Sequence, residues 1–419
     1  MGCQILQDSS GKAFTNDHHS ILLINPTDIS SDTESIDPWM TVVSGAKKGW
    51  AERLIERALF LVSLSAILLI FLIFIFIVKE AFPVLLGKVN SAPELEPIPV
   101  EKMSALSPED LQQYLDLTPD QYAGLDESTL RLLMEVKLEE IAEAPKGKDA
   151  RVNSVSWRYL LKPYQWSGYE KAVHIWQPIS SIPKYNLVPL LLGSLKITLV
   201  ALALAVPVAV GAAIYVSQLA SVKTREILKP AVEMLAGVPS VVLGFIGLIL
   251  IATVWQSIFG YQSRLNAFVA GTALALAVIP IVFTIAEDAL TSVPPSYREA
   301  ALALGGSKWH AAWRIVVPAA LPGIMAAIVL GFGRAIGETM IVLMASGNAS
   351  IVSLSVFESA RTLTATIAAE LAETVFGGHH YRVLFLLGTL LFAVTFLSNF
   401  LGEFIIHRMK GRFEKRIEG

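Results

Sequence analysis

The stretch 58–78 carries no charged residue and, at about 20 residues, is long enough to cross roughly 30 Å of hydrocarbon as a helix. A chain with such a run has few options, because in lipid every backbone N–H and C=O must find its partner inside the chain. Five weaker apolar stretches follow, near 187–216, 234–256, 265–286, 319–345 and 383–402, interrupted only by Lys196, Arg334 and Glu338. Over 419 residues, 53% are hydrophobic and 16% charged, which excludes an ordinary soluble domain. The reading is an all-α membrane protein with six transmembrane helices. The first run starts too late and is too long for a cleavable signal, and no small-residue cleavage pattern precedes Lys79-Glu80, so it reads as a retained anchor.

Lysine and arginine fall in alternate connections. Lys47, Lys48, Arg53 and Arg57 precede the first span, Lys223, Arg225 and Lys229 follow the second, and Arg298, Lys308 and Arg314 follow the fourth. Arg408, Lys410, Arg412, Lys415 and Arg416 follow the last. By the positive-inside rule, both termini and the loops after spans two and four are cytoplasmic. The resulting division is a flexible cytoplasmic tail (1–50), a first transmembrane helix (51–80), an extracytoplasmic insertion (81–186), a five-helix core (187–407) and a basic cytoplasmic tail (408–419).

The insertion has two parts. Stretch 107–144 is acidic with helical patterning (Leu111, Leu115, Leu117, then Leu130, Leu133, Met134, Leu138, Ile141) and reads as a small helical unit with a solvated acidic face. Trp157, Tyr164, Trp166, Trp176 and Pro178 follow, and the tryptophans read as an interfacial belt where the chain re-enters the bilayer. The lone cysteine, Cys3, excludes an intrachain disulfide framework and any multi-cysteine metal site. The seven histidines show no ligand spacing, and His379-His380 reads as exterior loop, so no metal is assigned. Met1-Gly2-Cys3 carries only an incomplete lipidation pattern.

Inside the fifth apolar stretch, Arg334 and Glu338 stand four apart and would share one helix face. A charge at membrane depth costs roughly 2.5–3.5 kcal/mol or more, so it is seldom kept without use. A guanidinium facing a protein-lined path offers a permanently charged, planar fork of donors suited to an oxyanion. Pairing with Glu338 lowers the cost of keeping Arg334 there when no anion is present. The competing reading is a static ion pair that holds the bundle. Gly333 and Gly337 form a small-xxx-small pair beside these charges, suited to close helix packing. Pro207, Pro239, Pro280 and Pro322 lie in or near spans as candidate kinks, and Glu233, Glu287 and Asp288 flank spans where water is near, with no role beyond interface contacts.

Between spans four and five, Pro294 to Gly306 reads as a short helix with Ser296 and Glu299 at capping-box spacing and Gly305-Gly306 as its left-handed stop. Ser307 then caps a second helix over 308–317, which Pro318 kinks or ends. The unit is an elbow whose paired alanines, Ala300 and Ala301, leave a surface that another protein can approach closely. Read whole, Glu299-Ala300-Ala301, Gly305, Ile315 and Pro318 resemble the EAA loop of bacterial ABC importer permeases, with Leu304 where aspartate is common and Val317 where leucine is usual.

Downstream, Gly333-Arg334-Ala335-Ile336-Gly337-Glu338-Thr339-Met340, followed by Gly347-Asn348, is similar to the matching segment of phosphate-specific (Pst) permeases, more to the PstC type than to its companion. Val188-Pro189-Leu190, Ala205-Val206-Pro207 and the run Glu233 to Ser240 fit the same type, and the likeness covers about 157–410.

That resemblance implies a type I importer permease bundle with an extracytoplasmic insertion, not an enzyme. It implies transport roles for Arg334, Glu338 and Thr339, and an ATPase-coupling role for Glu299, Ala300, Ala301 and Gly305 in the loop 294–318. The implied partners are a second permease, two ATPase subunits, an extracytoplasmic phosphate-binding protein and membrane lipid, with no nucleic acid. No Gly-x-x-x-x-Gly-Lys-Ser/Thr segment occurs, so ATP is expected at the partner ATPases and no cofactor on this chain. Three rivals stay open: a permease for sulfate, molybdate or another oxyanion, a secondary transporter using Glu338 as a proton site, and a membrane sensor that does not transport.

Overall fold

The computed structural model describes residues 6–7, 13–14, 50–89, 100–103, 106–115, 117, 119–143, 149, 152–180 and 182–417. Two units are separable, Met1–Leu69 and Ile70–Gly419. In the first, β1 (Leu6–Gln7) pairs antiparallel with β2 (Ala13–Phe14), and α1 (Trp50–Leu85) begins. Apart from those strands and Trp50, the stretch read as a flexible tail lies outside the described residues, as does Met1-Gly2-Cys3.

In the second unit α1 runs on past residue 80 to Leu85. Four short helices follow: α2 (Val100–Met103), α3 (Pro108–Leu115), α4 (Pro119–Ala123) and α5 (Glu127–Glu143). They close over a small core of Met103, Leu111, Tyr114 and Met134, and Leu111 and Met134 belong to the helical pattern, whose Leu115, Leu130 and Leu138 pack against that core partly buried. After α6 (Trp157–Leu161), a hairpin pairs β3 (Trp176–Gln177) with β4 (Lys184–Tyr185). Here the interfacial-belt reading fails for two of its three tryptophans: Trp157 is exposed, but Trp166 and Trp176 are only 4% and 3% exposed. Trp166 packs on Tyr159 and Tyr164, and Trp176 packs edge-on to Tyr185 in an apolar cluster with Ala81, Leu187 and Leu384.

The bundle proper consists of α7 (Val188–Ile214) with a π turn at Tyr215–Leu219, α8 (Val222–Ala236), α9 (Ser240–Ile246) leading through a π turn at Gly247–Ile251 into α10 (Ala252–Phe259), and α11 (Ala267–Thr291). It continues with α12 (Pro295–Ala303), then α13 (Lys308–Ala311), which passes through a π turn at Ala312–Val316 into α14 (Val317–Ile336). Last come α15 (Met340–Ala345), α16 (Leu363–Glu370) and α17 (His379–Ile417). Among the described residues six helical segments are long and apolar enough to cross a membrane: Leu54–Leu85, Val188–Leu219, Ser240–Phe259, Ala267–Thr291, Lys308–Ile336 and His379–Arg408.

The core centres on α11. Ala270, Ala273, Leu274, Val278, Val282, Phe283 and Ala286 are fully buried, packed against α7 and α14. Lipid tails are as apolar as leucine, so helices here associate through close packing of small residues rather than through exclusion of water. Gly331 shows how close: a Cβ on it would sit 2.6 Å from Val282 Cγ2.

Several expected spans are redrawn. The third begins at Ser240, because Gly237 caps α8, and Pro239, at φ −57° and ψ 137°, turns the chain before α9 starts. Met234, read as the start of that span, lies in α8. The fifth stops at Ile336 instead of running to 345. Pro318 neither ends nor interrupts its helix, since the π turn just before it absorbs the lost hydrogen bond. The sixth continues past 402 and through 408–417, so no helix boundary separates core from basic tail. His379 and His380 open this helix rather than sitting in a loop.

Candidate functional site

Both charges of the fifth stretch meet at a break between helices. Gly337 closes α14, its N–H bonding the Gly333 carbonyl at 3.3 Å, and the chain turns through Glu338 and Thr339 before α15 starts. Arg334 and Glu338 therefore do not share one continuous helix face, yet Arg334 Nη1 donates to Glu338 Oε2 at 2.8 Å. The other carboxylate oxygen accepts the Met340 N–H at 3.2 Å, so Glu338 also satisfies the first N–H of α15. Its carbonyl accepts the Thr364 hydroxyl at 2.9 Å, which ties the break to the start of α16.

Exposure divides the pair. The Glu338 side chain is 4% exposed and locked by those bonds, whereas the Arg334 side chain is 45% exposed. Arg334 is thus a guanidinium held on one side and open on the other. It also lines a cavity of about 50 Å³ beside the 237–239 break, together with Ser240, Leu243 and Ala277. Thr339 contributes its backbone, its carbonyl accepting the Leu343 N–H at 2.9 Å, while its hydroxyl reaches only the Gly337 carbonyl at 3.5 Å. Gly333 and Gly337 are not close-packing points within this chain: a Cβ on Gly333 would meet Asn399 Oδ1 at an ordinary 3.6 Å, and one on Gly337 would meet only carbonyls of the preceding turn, those of Gly333 and Arg334.

The 294–318 elbow starts differently from its reading. Pro294 and Pro295 open α12, and no side chain caps it, so the Ser296–Glu299 capping box does not form. Proline at the first helical position needs no hydrogen bond and presets φ, which makes the box unnecessary. Gly305 takes φ +85°, and the Gly306 N–H bonds the Ala301 carbonyl at 3.0 Å while the Gly305 N–H bonds Leu302, the pattern of a Schellman stop. The Ser307 hydroxyl accepts the His310 N–H at 3.2 Å and starts α13. Glu299 and Ala300 are exposed, but Ala301 is buried, so one of the paired alanines packs inward. Leu304, 92% exposed, and the stacked rings of Trp309 and Trp313, 5.8 Å apart, stand on the surface of the same elbow.

Behind the elbow lies a cluster that sequence reasoning missed. Glu287, read as flanking its span where water is near, is fully buried. Its carboxylate takes hydrogen bonds from Arg225 at 2.5 Å and Lys229 at 2.6 Å, and from the Thr291 hydroxyl at 3.1 Å. The hydrogen bond to Glu287 raises the Lys229 ammonium above its ordinary value of 10.5. This clamp binds α8 to α11. A cavity of about 300 Å³ opens next to it, lined by Arg225, Leu290, Arg298, Glu299 and Leu302.

Two further groups sit toward the other end of the bundle. Glu370 accepts from Trp176 Nε1 at 3.1 Å and pairs with Arg361 at 2.7 Å and His380 at 3.2 Å, which joins the β3–β4 hairpin, α16 and α17. Lys196 donates to the carbonyls of Ser353 at 3.2 Å and Ser355 at 2.8 Å and braces the 346–362 connection against α7. Spacing along the chain offered no signal for either, since their partners stand far apart in sequence.

Residues 205–411 match the family described as "Binding-protein-dependent transport system inner membrane component". The chain is 35% identical over 237 residues to the "Probable ABC transporter permease protein YqgH" of Bacillus subtilis, covering 56% of this chain and 76% of that protein. It is 33% identical over 256 residues to the "Phosphate transport system permease protein PstC" of Mesorhizobium japonicum, covering 57% and 77% respectively. The PstC of Pasteurella multocida is 31% identical over 254 residues, covering 56% and 78%.

Proposed function

This chain belongs to the ABC transporter permeases of binding-protein-dependent import systems, as a PstC-like multi-pass protein of the inner membrane, and from that membership we propose that it is a permease subunit of an ATP-driven inorganic phosphate importer. The substrate assignment draws on the relatives named as phosphate permeases and on the chemistry of Arg334. Half of the translocation path is supplied by this chain and the other half by a second permease, whose helices pack on the exposed side of Gly333 and Gly337. Two ATPase subunits and an extracytoplasmic phosphate-binding protein complete the assembly. Both termini and the elbow face the cytoplasm.

The observation that carries this reading is the Arg334–Glu338 pair at a helix break, with the carboxylate locked and the guanidinium half open. An arriving phosphate competes with Glu338 for the donors of Arg334. Anion binding at the open side of the fork gains charge-assisted hydrogen bonds, while competition from Glu338 keeps the fork oriented and limits how tightly the anion is held. A site that must release its cargo needs that limit. Thr339 sets the backbone turn that delivers Glu338 to Arg334.

Coupling runs through the elbow. Glu299, Ala300 and the exposed Leu304 are presented to a groove of the ATPase by α12, whose stop at Gly305 holds its angle to α13. Because α13, the π turn and α14 form one uninterrupted segment, Lys308–Ile336, displacement of the elbow is carried along the helix that bears Arg334. The test is uptake of radiolabelled inorganic phosphate into vesicles holding the assembled complex. Uptake that stops on ATP depletion and is indifferent to uncouplers supports the reading, and uptake driven by a proton gradient without ATP overturns it. Transport of another oxyanion is a second reading, because the planar donor fork of Arg334 suits any oxyanion of similar size. Uptake of sulfate or molybdate with no uptake of phosphate would establish it.

A further inference from the structure

Two interruptions of the helical bundle meet at Arg334. One is its own, between α14 and α15; the other is the turn 237–239 between α8 and α9. The two restarted helices lie against each other at Gly244, where a Cβ would stand 3.2 Å from the Met340 carbonyl and 3.3 Å from Ile341 Cα. The cavity of about 50 Å³ at this junction is walled by Leu235, Leu243, Ala277 and Ile281, and its polar side chains are those of Arg334 and Ser240. That is several times the roughly 10–15 Å³ needed by one water, enough for a small anion with a few oxygens. Apolar walls on a charged cavity reduce screening, so a hydrogen bond made inside counts for more than one made in water.

We propose that the Ser240 hydroxyl is a second ligand for the transported anion, facing Arg334 across this cavity; the assignment rests on Arg334 lying on the translocation path. A hydroxyl is suited to the task because it both donates and accepts. It can give a hydrogen bond to a bare phosphate oxygen or take one from a protonated oxygen, so it serves either protonation state of phosphate present near neutral pH. Arg334 only donates. The two ligands sit on different segments, Ser240 at the start of α9 and Arg334 near the end of α14. Relative movement of those segments therefore changes the distance between the ligands and releases the anion without breaking either helix.

The experiment uses the complete complex in vesicles, with radiolabelled inorganic phosphate and initial rates measured against phosphate concentration. Losing a hydrogen bond to a charged ligand is expected to raise KM about tenfold in Ser240→Ala, with recovery in Ser240→Thr, which keeps the hydroxyl. Equal KM and kcat in Ser240→Ala and the unaltered chain overturn the proposal. A loss that Ser240→Thr does not restore, with KM unmoved, assigns Ser240 to packing and also overturns it. Should Ser240→Ala fail to assemble, Ser240→Cys in a Cys3→Ser background gives an independent reading. Saturating phosphate is expected to slow modification of that thiol by an anionic thiosulfonate, and unslowed modification in a transporting complex overturns the proposal. Failure of the underlying function is seen separately, as normal phosphate uptake in Arg334→Gln or as no phosphate uptake by the unaltered complex.

Discussion

Replacing Glu338 with glutamine separates the two things that this side chain does. Glutamine keeps the shape and an oxygen for the Met340 N–H, which Glu338 Oε1 accepts at 3.2 Å, so the start of α15 survives. What disappears is the charge opposite Arg334 at 2.8 Å. A hydrogen bond between charged groups contributes about 1.5–3 kcal/mol, and the 45% exposure of Arg334 puts this one at the lower end, about 1.5 kcal/mol. If phosphate competes with Glu338 for the same donors, that amount passes to the anion, and 1.4 kcal/mol is a factor of about ten in affinity. Glu338→Gln should therefore lower KM for phosphate about tenfold and slow turnover by a comparable factor, because the anion leaves a deeper well. Initial rates of labelled phosphate uptake, measured from well below to well above KM, resolve both parameters. A KM that stays put or rises with turnover intact would refute competition and leave Glu338 as a fixed structural partner.

Three further outcomes follow from named contacts. Gly305 holds φ +85°, and a Cβ there would meet nothing within 4 Å, so Gly305→Val is strained by its backbone alone, about 1–2 kcal/mol. The complex should still form but hydrolyse ATP with little phosphate movement, and a normal ratio of phosphate moved to ATP hydrolysed would count against the coupling role. Glu287→Gln removes the anion between Arg225 and Lys229; breaking a buried pair costs about 3–5 kcal/mol, less here because both cations are partly exposed, so a clear fall in thermal unfolding temperature is expected. An unchanged unfolding temperature would remove the clamp from the account. The Lys229 ammonium is raised by its hydrogen bond to Glu287, so its contribution is complete below 10.5 and lost as pH rises through the raised value. Wild type should thus exceed Lys229→Met in stability by a constant margin up to about pH 10 and lose that margin at higher pH. A margin that shrinks near neutrality instead would contradict this.

What the sequence disclosed and what it hid have physical causes. Long apolar runs report composition, so the existence of six spans was legible, and the stop at Gly305 and the cap at Ser307 were written in residues with strong local preferences. The same apolar windows are blind to backbone breaks. Gly237-Val238-Pro239 and Gly337-Glu338-Thr339 interrupt stretches whose hydropathy barely changes, and the Arg334–Glu338 pair was foreseen on a continuous face that does not exist. The Ser296–Glu299 spacing misled in the opposite direction, since two adjacent prolines started α12 without a cap. Contacts between distant segments were out of reach: Arg225 and Lys229 looked like topology markers, yet they neutralise Glu287 some 60 residues away. Trp176 looked like an interfacial anchor, yet it is buried on Glu370, 194 positions further on.

The central claim is that the guanidinium of Arg334 meets the anion as it crosses. The direct measurement is ATP-driven uptake of radiolabelled inorganic phosphate by the assembled complex carrying Arg334→Gln, with assembly checked by copurification of the ATPase. Uptake is expected to fall to background while the complex stays intact. Uptake at the unaltered rate and KM, in a complex equally well assembled, would contradict the account.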